Sequence, residues 1–276
     1  MSKVWFITGA GSGIGRDTAK AALEAGDRVV ASGRDLEKLR RALDGADDNL
    51  AFVQLDVTDE EQAKDAVDEA VRKFGRIDVL VNNAGYSLLG NFEELTTPEF
   101  EEQFATNFWG VAYVMRAVLP VMRRQRSGHI INISSVAGVV GLKHCSAYGA
   151  AKFAVEGLSL SVAQEIGQFG IKITVVEPGF FATDLLNARN VKYAQSTVAD
   201  YAPEGTAEAM WSPYDGKQTG DPAKLGTALV ALSQLDNPPR VFAGGGDALA
   251  SINAAIDSRL NDMRSHDALS RSTDLS

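Results

Sequence analysis

The feature that most constrains the fold is a row of short apolar runs with little polar alternation. Val4-Trp5-Phe6-Ile7 is the first, and comparable runs lie at 28–32, 50–55, 79–81, 130–133 and 171–176. Successive residues of a strand face opposite sides, so a strand that is apolar at every position must be covered on both. Strands of this kind, separated by amphipathic segments, predict a doubly wound α/β fold: a parallel sheet with helices on each face. Helices are expected over 14–25, closed by Gly26, from an Asp35 cap to residue 43, and after a Thr58–Glu61 capping box. Two more are expected after Thr97-Pro98 and over 147–169. A helix at 222–233, a strand at 240–243 and a helix at 249–264 complete the pattern, leaving 265–276 as a disordered tail.

The chain has 276 residues, which suits one domain over 1–264. Its formal net charge is −9, and an acidic surface repels phosphate backbones, so a nucleic-acid partner is not expected. A single cysteine, Cys145, rules out an internal disulfide and points to a reducing, cytoplasmic setting. No stretch approaches the ~18 apolar residues of a transmembrane helix, and the first apolar run is too short for a signal-peptide core.

The loop Thr8-Gly9-Ala10-Gly11-Ser12-Gly13-Ile14-Gly15 stands between the first strand and the first helix. Glycines there let a pyrophosphate approach the backbone, and the helix N-terminus offers N–H donors and positive potential. A strict Gly-x-Gly-x-x-Gly does not fit; the spacing is Thr-Gly-x-x-x-Gly-x-Gly. Further along, Asp56-Val57 follows the third strand and Asn82-Asn83-Ala84-Gly85 the fourth. Asn107 lies on the next helix, Ser135 ends the fifth strand, and Tyr148-Gly-Ala-Ala-Lys152 opens the long helix. Pro178-Gly179, with Phe181 and Thr183, follows the sixth strand.

Taken in order, these motifs resemble the short-chain dehydrogenase/reductase family over roughly residues 3–183. The resemblance implies a Rossmann-type domain that binds a nicotinamide dinucleotide and moves hydride between it and a carbonyl or alcohol. It implies that Thr8 through Gly15 hold the pyrophosphate, Asp56 and Val57 the adenine, and Asn83, Ala84 and Gly85 the adjoining turn. Pro178, Gly179, Phe181 and Thr183 would receive the nicotinamide, and Lys152 its ribose. Asn107, Ser135, Tyr148 and Lys152 would form the catalytic set, with Asn107 holding a water that relays protons to Lys152. The plain alternative for Asn107 is a helix residue bonding nearby backbone.

Tyr148 and Lys152 are four apart, on one helix face. A free tyrosine has a pKa near ~10, and a neighbouring ammonium is expected to lower it, fitting the phenol for general acid or base work. Ser135 is expected to hold the substrate oxygen. Its neighbour Ser134 points the other way by strand alternation.

Cofactor choice rests on the end of the second strand. An NAD site wants an acid there for the ribose 2′-OH, whereas Gly33 occupies that position and Arg34 follows. A guanidinium suits a 2′-phosphate, so NADP(H) is favoured over NAD(H), with Asp35 serving as a helix cap. An NAD-dependent alcohol dehydrogenase with an incidental Arg34, or a dinucleotide-binding sensor without turnover, are the alternatives.

His144 and Cys145 lack partners at metal-ligand spacing, so no metal is expected and a packing or pocket-wall role suits both. Asn132-Ile133-Ser134 is a formal glycosylation sequon inside a strand and is set aside. Segment 184–221 loses periodicity and gathers Tyr193, Tyr201, Met210, Trp211 and Tyr214. It is expected to form a lid over a medium-sized hydrophobic ketone or alcohol, the alternative being that the aromatics simply anchor a long loop. The resemblance also implies a homodimer or homotetramer. Residues beyond Gly246 are expected to block a second interface and so favour the dimer.

Overall fold

The computed structural model describes residues 2–43, 48–188 and 190–275. Its main sheet has seven parallel strands in the order β3-β2-β1-β4-β6-β7-β9. They are β1 (Val4–Thr8), β2 (Arg28–Gly33), β3 (Leu50–Gln54), β4 (Val79–Asn82), β6 (Gly128–Ile133), β7 (Ile171–Pro178) and β9 (Val241–Gly244). The missing numbers belong to a two-stranded parallel sheet that the sequence does not announce, β5 (Ser87–Leu89) beside β8 (Val191–Tyr193).

The apolar runs behave as strand geometry requires. In β1, Val4 and Phe6 enter one core and Trp5 and Ile7 the other. The first core is closed by α3 (Glu60–Phe74), α5 (Gly110–Gln125) and α6 (Ser146–Ile166), through Ala66, Val114 and Val155 among others. The second is closed by α1 (Gly13–Glu24), α2 (Leu36–Ala42) and α8 (Pro222–Gln234), through Ala22, Leu39 and Leu229. Asn132 is fully buried in β6, where it bonds Asn82 and Ser159, so its sequon is a strand residue out of reach of glycosylation.

One helix cap differs from expectation. Asp59, not Thr58, caps α3, accepting from the N–H groups of Glu61 and Gln62, because its short carboxylate stands one residue closer to the first turn. Thr58 instead gives its N–H and hydroxyl to Asp56, at 3.0 and 2.8 Å. The capping box appears one helix later: Thr96 and Glu99 close it at the start of α4 (Thr97–Phe104), with Pro98 in the first turn. Asp35 does cap α2, taking the Lys38 N–H at 3.0 Å.

The C-terminal part also departs from the sequence reading. α9 (Gly246–Ser265) begins three residues early, and the tail expected to be disordered carries α10 (Asp267–Arg271), supported by an Arg271–Asp267 ion pair of 2.8 Å. Between them the chain bends at His266, the residue that caps both. No helix among the described residues is long and apolar enough to cross a membrane.

Candidate active site

The strand order reverses at β1, which has β2 on one side and β4 on the other. In an open α/β sheet such a reversal leaves a crevice outside the carboxyl ends of the strands. Here it opens into a cleft of about 950 Å³. Among its lining residues are Gly9, Gly11, Ser12, Gly13, Arg34, Asp56, Asn83, Asn107, Ser135, Tyr148 and Lys152.

The glycine loop is shaped for close approach. Gly13 has φ +53°, and a Cβ on Gly15 would stand 2.4 Å from Asn83 Nδ2 and 2.7 Å from the Gly9 carbonyl oxygen. Asn83 in turn donates from Nδ2 to the carbonyls of Thr8 (3.0 Å) and Gly9 (3.2 Å). The Thr8 hydroxyl oxygen accepts the N–H groups of Asn83 and Ala84 at 2.9 and 3.0 Å. The turn after β4 thus clamps the turn after β1. At the start of α1, Ser12 makes no side-chain cap and the first turn carries no acid, so its N–H donors face the cleft. That donor set fits the pyrophosphate of a dinucleotide.

At the far end of the cleft lie Gly33, Arg34, Lys38, Asp56 and Val57. The Arg34 guanidinium is exposed and, among the described residues, has no ion-pair partner, while Asp35, which also lines this end, is engaged as the cap of α2. Lys38 is a second cation here that the sequence reading missed. Its signal was present, since it stands on the first turn of α2, four residues after Arg34.

At the other end Ser135 closes β6, its Oγ taking the Ala137 N–H at 3.1 Å, and its side chain is near enough to the Tyr148 phenol to pull its pKa down. Ser134 also borders the cleft, but its hydroxyl lies against Gly138. The expected electrostatics are not met. Burial pushes the Tyr148 phenol up to about 12 and outweighs the pull of Ser135, and burial pushes Lys152 down to about 8. The Lys152 ammonium lies 5.7 Å from the Tyr148 ring centroid and donates to the Ile133 carbonyl at 2.7 Å, so its charge is spent on backbone rather than on the phenol.

Asn107 sits in a π-helical turn, Ala105–Trp109, between α4 and α5. Its amide donates to the Tyr86 carbonyl at 3.0 Å and its oxygen accepts the Tyr86 N–H at 3.2 Å, which is the backbone-bonding alternative. It nevertheless lines the cleft. Such π-turns concentrate at functional sites. Pro178 at the end of β7, and Gly179, Phe181 and Thr183 after it, reach the cleft, with the Thr183 side chain against Gly13. Sequence gave no hint of Asp247, which lines the cleft from α9 and accepts the Phe180 N–H at 2.8 Å.

Segment 184–221 is both wall and anchor. Leu186, Lys192, Trp211 and Gln218 line the cleft. Trp211 also packs with Leu89, Cys145, Leu186 and Val191 in a third apolar cluster and stacks near Phe180 and Tyr214. Lys192 pairs with Glu102 at 2.6 Å, Glu94 accepts the N–H groups of Thr197 (2.8 Å) and Val198 (3.0 Å), and Tyr201 donates to Glu93. Cys145 forms pocket wall, its thiol pushed up to about 12 by burial. His144 is buried beside it in a left-handed conformation, φ +62°, without lining the cleft.

Behind Lys152 lie two buried acids the sequence reading also missed, Glu156 (9% exposed) one turn along α6 and Glu177 (3%) near the end of β7. Burial pushes both carboxyls up to about 7, and for Glu156 it outweighs the Ser134 hydroxyl and the Lys152 ammonium. A carboxyl whose folded pKa is raised holds its proton more tightly than in the unfolded chain. Its contribution to stability is therefore greatest below the unfolded value of 4.5 and falls as pH rises toward about 7. Glu156→Gln is expected to flatten the decline in melting temperature between pH 5 and 7. It should also stabilise the protein at pH 8 by about 1–3 kcal/mol. Thermal melts across that range check it, and a decline as steep as the parent's would contradict the assignment.

Comparison with known proteins follows this geometry. The profile of the family described as short chain dehydrogenase matches residues 3–194. An oxidoreductase of Botryotinia fuckeliana is 39% identical over 93% of this chain and 94% of its own length. The 3-ketodihydrosphingosine reductase of Bacteroides thetaiotaomicron is 37% identical over 86% of each chain. The crystal structure of a short-chain dehydrogenase from Streptomyces avermitilis superposes with a TM-score of 0.92 at 37% identity, covering 100% of both chains. Of two neighbours solved with cofactor, ElxO holds NADP (TM-score 0.75, 33% identity, 91% of this chain and 100% of that one). The other, from Burkholderia phymatum, holds NAD (TM-score 0.80, 27% identity, 91% and 92%).

Proposed function

We propose that this chain, which belongs to the short-chain dehydrogenase family, uses NADP(H) to interconvert a medium-sized hydrophobic ketone and its secondary alcohol. The observation that carries this reading is the continuity of the cleft. It runs from the unpaired guanidinium of Arg34, past the bare N-terminus of α1, to Ser135, Tyr148 and Lys152. Beyond them it is walled by Leu89, Leu142, Leu186 and Trp211, apolar surface with few polar groups, as small-molecule sites require.

In this reading Arg34 and Lys38 hold the 2′-phosphate, and the N–H groups of 12–15 hold the pyrophosphate. When bound, the nicotinamide supplies or accepts the hydride. The Ser135 hydroxyl orients the substrate oxygen beside the Tyr148 phenol, both side chains lining the cleft. Tyr148, neutral throughout the physiological range because burial raises it, is the proton donor in reduction. Lys152, fixed by the Ile133 carbonyl, keeps a positive charge beneath that pair until its own proton is lost near pH 8. The NADP-bound neighbour and the relative named for reducing a 3-keto compound are in keeping with this assignment.

Initial rates over a panel of ketones and alcohols with NADPH and NADH test it. Consumption of NADPH with apolar ketones is expected. Binding of the dinucleotide without turnover of any carbonyl would favour the sensor alternative.

Segment 184–221 serves in this reading as a lid whose root is fastened by Trp211 and whose outer bend is free. Residues 215–217 are exposed there, Lys217 among them. Trypsin is expected to cut after Lys217 readily without ligands and more slowly with NADPH and substrate. Shortening the bend should raise KM for bulky ketones more than for small ones. Cleavage indifferent to ligands, together with an unchanged substrate ranking, would leave the segment as a fixed wall.

A further inference from the structure

α9 leaves the body of the protein. Its root is held by Ala248 and Ile252, both buried, but from 253 to 265 every residue except Ala255 is exposed. Those 13 residues form an arm about 20 Å long. A lone helix of this length is marginal in water without a packing partner. The arm nevertheless carries an apolar stripe at helical spacing, Ile256, Leu260 and Met263, exposed by 47%, 37% and 53%.

The charges beside that stripe identify the partner. Along the arm they read Asp257, Arg259, Asp262, Arg264. Reversed about the midpoint between residues 260 and 261, the pattern becomes its own complement: 257 meets 264 and 259 meets 262, always with opposite sign. Helical spacing places Asp257 and Arg264 on one flank of the stripe, and Arg259 with Asp262 on the other. In an antiparallel helix pair related by a two-fold axis, like flanks face one another. In that register Leu260 lies about 1.5 Å along the axis from its own counterpart and Ile256 about 3 Å from Met263, close enough for apolar layers, with four ion pairs along the edges.

We propose that the arm of α9 is a self-association surface whose occupant is the same arm of a second copy of this chain, packed antiparallel. Exposed ion pairs contribute little energy each, so their part here is to set direction and partner while the apolar layers supply the attraction. The arm therefore makes a contact of its own rather than only blocking one.

The test is sedimentation velocity on the full-length protein over a concentration series, with two double variants. Asp257→Arg with Asp262→Arg makes the arm wholly basic, and Arg259→Asp with Arg264→Asp makes it wholly acidic. Circular dichroism verifies that each keeps its helix content. Each variant alone is expected to lose one association step, halving the mass of the largest species, and an equimolar mixture is expected to recover it. The proposal is overturned if the parent shows no species that either variant lacks, or if the mixture fails to restore what each variant lost. None of the four residues lines the cleft, so activity at dilution should be unchanged in both.

Discussion

Replacing Tyr148 by phenylalanine is expected to lower kcat at least about a hundredfold, a loss of roughly 2.7 kcal/mol of transition-state stabilisation. Dinucleotide affinity should stay nearly unchanged. The two effects separate because the substitution deletes one hydroxyl and nothing that holds the loop at Gly9–Gly15, which is fixed by Thr8 at the end of β1 and Asn83 in the turn after β4. The ring is buried, so the missing oxygen removes a proton donor from the cleft wall while the rest of the side chain keeps its packing. Fluorescence titration with NADPH and steady-state rates measure the two arms. Lys152→Ala is expected to damage both, since the family resemblance implies that Lys152 also holds the nicotinamide ribose. Turnover by Tyr148→Phe within a few-fold of the parent would mean that the proton comes from elsewhere.

Arg34→Ala is expected to lower kcat/KM for NADPH by about ten- to a hundredfold and to leave NADH untouched. A charge-assisted hydrogen bond is worth ~1.5–3 kcal/mol, and an unpaired guanidinium has no competing partner to release before gripping a phosphate. Lys38→Ala should act in the same direction but less, because an ammonium is a point charge without the bidentate geometry. The parent protein should prefer NADPH correspondingly. Equal efficiency with both cofactors in the parent would show Arg34 to be incidental.

What could be read from the sequence and what could not divide along the range of the interactions involved. The sheet was legible because burial on both faces writes itself into every strand: Val4 through Ile7 need no partner to be recognised as covered on two sides. The candidate site was legible because its parts are local. A loop between one strand and one helix, a serine at a strand end and two residues one turn apart each have a chemical reason within a few positions. The anchoring of 184–221 was not, since β8 pairs with β5 across 104 positions and a three-residue strand leaves too short a pattern to notice. Nor was the environment of Lys152. Its sequence neighbourhood predicts an ammonium acting on a phenol, whereas the fold supplies the Ile133 carbonyl from β6 and buries Lys152 beside Glu156, one turn along the same helix. Caps fall between these cases: Asp35 was read correctly, but Thr58 and Asp59 are both good caps one residue apart, and only the turn made by Asp56 decides between them.

The Asp247 carboxylate makes a lever of the C-terminal helix. It fastens the loop after β7 to the first turn of α9 through the Phe180 amide, and a Cβ on Gly179 would stand only 2.2 Å from it. The loop and the helix root are therefore tied by a hydrogen bond and by an approach that only a glycine at 179 allows. A rigid helix of 20 residues is about 30 Å long, so a tilt that moves the root by a fraction of an ångström swings the tip by several. The free end of α9 is in effect a pointer whose angle reports where that loop sits. Linkage runs both ways, so whatever pins the pointer also narrows the positions open to the loop.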